Sequence, residues 1–222
     1  MSESVSCPGA APKLPFGKAG AWIALLCLMV PMFASYFFDD MFSTLSQIFQ
    51  HPESLELGWS SADYGFYAGG YSFLCVCGGL VVCGILLDVF GVKIIGSVFV
   101  SLMALGAAIV LFALKSGFDS RISLAIAYAG CMIFGLGSEI AGVAVTRSIA
   151  KWFKGRHMAL AMGAQVAVAR LGTASAFIIS PLLVKLQGED SIYTLEQTAR
   201  PAVVGLSLIM LGVLLWGIFV WM

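Results

Sequence analysis

Charge is scarce in this sequence. Only 11% of its 222 residues are Asp, Glu, Lys or Arg, against about 25% in an average soluble domain. Asparagine is absent altogether, so no N-glycosylation sequon exists. Histidine occurs twice, as His51 and His157, both in or near expected loops. Neither H-E-x-x-H nor G-x-S-x-G occurs, and no enzyme is expected. Of the six cysteines, five lie in apolar runs, where a thiol behaves as a small hydrophobe. Cys75-Val-Cys77 lacks CxxC spacing and histidine partners, so no metal or other cofactor is expected. No cleavable leader is expected from this pattern, because the first apolar run is too long and no A-x-A site follows a short apolar region. Net charge is zero and the basic residues fall in short clusters, which gives no nucleic-acid surface.

What is abundant is apolar side chain: 60% of the residues, with a mean hydropathy of +0.97. This is the composition of an integral membrane protein, with lipid as its first partner. Residues 1–17 are rich in Ser, Pro, Gly and Ala and are expected to form a disordered tail. Six runs long enough to cross a bilayer follow, at about 18–50, 62–88, 92–115, 121–150, 157–186 and 201–222. Pro31 is expected to kink the first helix. Asp39-Asp40 then either ends that helix as a solvated terminus or faces a cavity while the helix runs on to about Gln50. Ser60-Ser-Ala-Asp63 reads as a helix N-cap. Gly65-Phe-Tyr-Ala-Gly69 is a small-xxx-small pattern, read as a helix-packing surface. Pro201 suits a first helical turn. The last run stays apolar to Met222 with no basic flank, which suggests half of something longer.

Lys and Arg set the expected orientation. With the N-terminus inside, the inner side collects Lys13, Lys18, Lys93, Arg147, Lys151, Lys154 and Arg156. The outer side collects only Lys115, Arg121, Lys185 and Arg200. The positive-inside rule therefore favours a multi-pass protein with a cytoplasmic N-terminus, in a cell (inner) membrane. Trp152 and Phe153, in the basic connector, are expected to anchor at the interface.

Two charges fall where a bilayer tolerates them least. Glu139 lies on the fourth run and Arg170 on the fifth, and their midpoint falls in the Lys154-Gly155 turn. An antiparallel hairpin would place both at the same depth, ~20 Å in at ~1.5 Å per residue. Ionisable groups at that depth face a cavity or one another and mark a functional site. Arg170 offers a planar fork for a carboxylate. Glu139 or Asp40 is a candidate to accept an ammonium or carry a proton. The alternative is that Glu139 and Arg170 neutralise each other as a packing ion pair. Tyr36, Tyr67, Tyr71 and Gln165 are further candidates to line a cavity. Asp88 is expected to pair with Arg147 near the inner surface, the alternative being separate solvation.

Gly84-Ile-Leu-Leu-Asp-Val-Phe-Gly-Val-Lys93 resembles the loop 2–3 signature of the major facilitator superfamily, roughly G-x-L-x-D-R-x-G-R-[RK]. Gly84, Leu86, Asp88, Gly91 and Lys93 match, while the two usual arginines are Val89 and Val92. Ser35-Tyr-Phe-Phe-Asp-Asp40, Gly137-Ser-Glu139, Trp152-Phe-Lys-Gly155 and Ala169-Arg-Leu-Gly172 resemble the branch that includes the animal lysosomal dipeptide transporter. The resemblance implies an all-α membrane protein, with six transmembrane helices in two inverted three-helix repeats, and a C-terminal six-helix half as its partner. It implies that Asp40, Glu139 and Arg170 line a central site. The expected activity is secondary transport of a small polar or zwitterionic solute, peptides favoured, with protons as candidate coupling ions. A non-transporting membrane scaffold is the competing expectation.

Overall fold

In lipid every backbone N–H and C=O must be satisfied within its own segment, so each long apolar run folds as a helix. The computed structural model describes residues 17–45, 56–154, 157–184 and 193–222. Within them lie α1 (Gly17–Asp40), α2 (Ser61–Leu74), α3 (Leu80–Phe90), α4 (Val92–Lys115), α5 (Ser120–Trp152), α6 (Met158–Val184) and α7 (Leu195–Trp221). Joined by a short π-helical turn, α2 and α3 form one span, and six helices are long and apolar enough to cross a membrane. The expected tail lies outside the described residues apart from Gly17, which opens α1. The same holds for 46–50 of the expected first helix, 155–156 of the connector and the end of the expected fifth helix at 185–186.

Three boundaries were left open or differ from expectation. First, of the two ends expected for the first helix the structure takes the earlier: α1 stops at Asp40 and a 3-10 turn, Ser43–Leu45, follows. Second, the 62–88 helix is broken at Cys75–Gly79, where Gly78 adopts φ 100°. Only glycine takes that conformation without strain, and the Gly78-Gly79 pair supplies it. Third, α7 begins at Leu195 rather than Pro201, because Thr194 and Gln197 form a reciprocal capping box. Pro201 sits inside the second turn of the helix, at the cost of one backbone bond.

The contacts between spans repeat. α1 packs on α6 and α7; α5, the fourth span, packs on α2 and α4; α4 packs on α7. Exchanging the first three spans for the last three turns α1–α6 into α5–α2 and α1–α7 into α5–α4, and leaves α4–α7 unchanged. That is the signature of two three-helix repeats. Hydrophobicity alone does not drive helices together in lipid, so close packing must do so. At Gly135 a Cβ would run into the carbonyl of Tyr71 on α2, and at Gly172 into the carbonyl of Phe33 on α1. These two approaches occupy equivalent places in the two repeats. Gly65 and Gly69, by contrast, have nothing within 4 Å, so the small-xxx-small surface expected to pack is uncovered here. Its neighbour Gly70 lies against Tyr128 instead.

Buried apolar side chains fall into two main clusters. One gathers Phe38, Phe42, Trp59, Tyr67, Met103 and Phe134. The other gathers Leu25, Leu28, Val145, Phe153 and Trp216. Phe153 is buried edge-on to Trp22, with ring centroids 5.3 Å apart, rather than anchored outside. Trp152 packs at 6.2 Å from Phe219.

Gly135→Val and Gly172→Val should each lower stability by ~1–3 kcal/mol through overpacking. Gly65→Ala, at an open position, should leave stability unchanged or raise it by up to ~1 kcal/mol. Thermal unfolding of the detergent-solubilised variants, followed by size-exclusion fluorescence, measures both.

Candidate functional site

The site begins with the direction α1 faces. Side chains four apart share a face of a helix, so Ser35 and Asp39 form one stripe, and Tyr36 and Asp40 the next. The first stripe meets α5: Ser35 and Ser138, both buried, share a hydrogen bond. The second stripe meets α6. Asp40 accepts a hydrogen bond of 2.7 Å from the Thr173 hydroxyl. The Arg170 guanidinium stands 5.6 Å from the centre of the Tyr36 ring, within cation–π range. Thus α1 is a wedge with α5 on one side and α6 on the other.

Beside the wedge is a cavity of about 440 Å³. Its lining includes Met32 and Tyr36 from α1, Tyr71 from α2, Glu139, Thr146 and Arg147 from α5, and Gln165 from α6. The Tyr71 hydroxyl donates to Glu139 Oε1 at 3.0 Å and lies 3.2 Å from Ser138 Oγ. Together with Ser35, these groups tie the first, second and fourth spans at one level. Further along the cavity, Gln165 donates to the Thr146 hydroxyl at 3.2 Å. Tyr67 is not among the lining residues; it is buried against Phe42 and Trp59 in the apolar core.

Glu139 and Arg170 do not pair. Among the described residues the ion pairs within 4 Å are Asp88–Arg147 and Glu196–Arg200. Glu139 turns its carboxylate to Tyr71, while Arg170 lies over Tyr36, which lines the same cavity as Glu139, and is itself outside the lining. The matched depth read from the sequence fixes height along the hairpin but not rotation about each helix. Asp39, which was only half of an undecided helix end in the sequence, sits on the stripe facing α5 and within electrostatic reach of Glu139. The signal for it was the four-residue spacing from Ser35, but that spacing carries information only once Ser35 is known to meet Ser138.

The loop 2–3 residues gather where α3 turns into α4. Gly91, at φ 80°, is the whole connection between the two helices. Gly84 has nothing within 4 Å that a Cβ would meet. Asp88 is ion-paired with Arg147, and both side chains are largely exposed. Lys93 reaches across to α7 and donates to the Val220 carbonyl at 2.8 Å. Beside it, the Trp216 indole N–H donates to Ser97 Oγ at 3.0 Å, and Ser97 donates to the Lys93 carbonyl at 2.6 Å.

Ser35→Ala and Tyr71→Phe each remove one hydroxyl from the group around Ser138 and should each cost ~0.5–1.5 kcal/mol. Because both act on Ser138, the double variant should lose less than the sum of the two. A double-mutant cycle on thermal stability measures this, and strict additivity would show that the hydroxyls act independently.

The family model described as Major Facilitator Superfamily matches residues 24–222. The chain is 28% identical over 170 residues to the lysosomal dipeptide transporter MFSD1 of Homo sapiens, an overlap of 76% of this chain and 35% of that protein. It is 33% identical over 145 residues to the protein of the same name from Danio rerio, covering 64% of this chain and 29% of the relative. The chain therefore spans about a third of the length of the curated relatives it matches. No solved structure matches it. Six apolar spans arranged as two three-helix repeats, the loop 2–3 signature and the family match over nearly all of the helical chain lead to one conclusion: the chain is a multi-pass membrane protein of the Major Facilitator Superfamily of transporters.

Proposed function

We propose that the chain forms one wall of a secondary transporter for a small zwitterionic solute, with peptides as the favoured class, and that it works by alternating access. The observation that carries this reading is the unpaired state of Glu139 and Arg170. A pair kept only for packing would be in contact, whereas here each charge has a different partner, Tyr71 for Glu139 and Tyr36 for Arg170. An ammonium and a carboxylate on one solute would complement them. Arg170 would take the carboxylate in its planar fork, with Tyr36 holding the guanidinium. Glu139 and one α1 carboxylate would take the ammonium, and protons are the candidate coupling ions. The name of the relatives, lysosomal dipeptide transporter, agrees in solute class.

The opposite wall would be a second six-helix half. The least covered spans are α2–α3 and α6. Phe66, Phe73 and Val76 on the first, and Val166, Phe177 and Ile178 on the second, are exposed. The open Gly65 and Gly69 belong to this uncovered face. The exposed Asp88–Arg147 pair is worth ~0–1 kcal/mol as a surface ion pair, so its proposed role is to brace the loop during rocking. The proposed placement is a cell membrane with the N-terminus cytoplasmic, which puts the basic connector inside. The name of the relatives makes the lysosome the competing membrane.

Uptake of radiolabelled dialanine into proteoliposomes tests the reading. A version extended past Met222 by a second six-helix half should transport, and Arg170→Met or Glu139→Gln should lower its uptake at least tenfold. Arg170→Lys should fail to restore it, because a point charge does not replace the fork. Full uptake by both single variants would sink the site, and equal uptake by the 222-residue chain alone would sink the second wall.

A further inference from the structure

The two neighbouring carboxylates at the end of α1 do different work. We propose that Asp39, together with Glu139, forms the cation-accepting face of the site and receives the substrate ammonium, whereas Asp40 balances Arg170. This rests on the zwitterion reading above and changes which residue of the Asp39-Asp40 pair takes part.

The geometry separates them. Asp40 continues the Tyr36 stripe. Tyr36 lies under Arg170, and one turn on Asp40 holds the hydroxyl of Thr173, three residues after Arg170 on α6. These are consecutive rungs between α1 and α6, so Asp40 stands on the side of the only basic residue within the α6 span. Its carboxylate already has a donor in the Thr173 hydroxyl.

Asp39 continues the Ser35 stripe toward α5. Ser35 bonds Ser138, and the next residue on α5 is Glu139. The groups that Asp39 faces electrostatically are its chain neighbour Asp40, Glu139 and Cys131 on α5, and Tyr64, Tyr67 and Tyr71 on α2. None of them is basic. Among the described residues Asp39 has no ion pair and no hydrogen bond, and its side chain is exposed. Glu139, which lines the cavity, has the Tyr71 hydroxyl as its donor and no cation. Two carboxylates within electrostatic reach of each other, one of them lining the cavity and neither with a cation, make a face that a primary ammonium would neutralise. Three N–H donors on such a group could be shared by both carboxylates.

Two measurements test this separately from the transport reading. In nanodiscs, Asp39→Cys should react with the cationic methanethiosulfonate MTSEA at least tenfold faster than with anionic MTSES. Rates are normalised to a free thiol and read at residue 39 by peptide mass spectrometry. Adding Glu139→Gln should remove most of that preference, and Asp40→Cys should show little or the reverse. Equal preference at both positions, or a preference at 39 indifferent to Glu139→Gln, overturns the proposal. In the extended transporter, Asp39→Asn should weaken binding of dialanine tenfold or more but of N-acetyl-dialanine less than twofold. Equal weakening of both peptides would mark Asp39 as structural and overturn the proposal. If the unmodified transporter binds neither peptide, the zwitterion reading fails, while the reagent rates still decide whether Asp39 and Glu139 share a cation-accepting face.

Discussion

Everything in this fold depends on how closely backbones approach where a side chain is missing. In lipid, apolar surface gains little by leaving its surroundings, so helices associate through shape and polar contacts. Gly135 seats α5 on the backbone of α2, and Gly172 seats α6 on the backbone of α1. Those two seats hold α1 between the fourth and fifth spans. Any residue with a Cβ at either place would push the wedge out and change which side chains of α1 meet which neighbour.

That wedge turns a one-dimensional charge pattern into a two-sided site. The anionic side gathers Glu139, Tyr71 and Ser138 against the Ser35 stripe. The cationic side gathers Arg170, Tyr36, Thr173 and Asp40. Hydroxyls do the joining on both sides, since each can donate and accept without bringing a charge of its own. The polar level at Ser35 and Ser138 lies between two buried apolar clusters, which keep the helices registered above and below it.

Much of the architecture was legible in the sequence because a membrane allows few choices. Six apolar runs become six helices, and the Gly91 turn within the loop 2–3 signature places the third span after the second. What could not be read were features set by rotation or by partners. Glu139 and Arg170 were matched in depth by the sequence, yet rotation about their helices gives them different partners, Tyr71 and Tyr36. The break at Gly78 was hidden because a glycine pair inside an apolar run is also compatible with an unbroken helix. The start of α7 was misread because Pro201 is a strong single signal, while the Thr194–Gln197 box needs two residues to be read together. Gly65 and Gly69 look like a packing surface in sequence, and only the fold places them on an uncovered face.

The Lys93 side chain closes a short mechanical circuit at one end of the bundle. It donates to a terminal carbonyl of α7, Ser97 accepts from the Trp216 indole N–H, and Gly96 leaves no room for a side chain between α4 and that indole. On the far side of Lys93, a single residue, Gly91, connects α4 to α3. The end of α7 is thus riveted to α4 and hinged to α3 through one backbone joint. A tilt of the third span would carry the sixth with it as a single lever, whereas α3, beyond that joint and bounded at its other end by the broken turn at Gly78, is tied instead to α5 through Asp88 and Arg147.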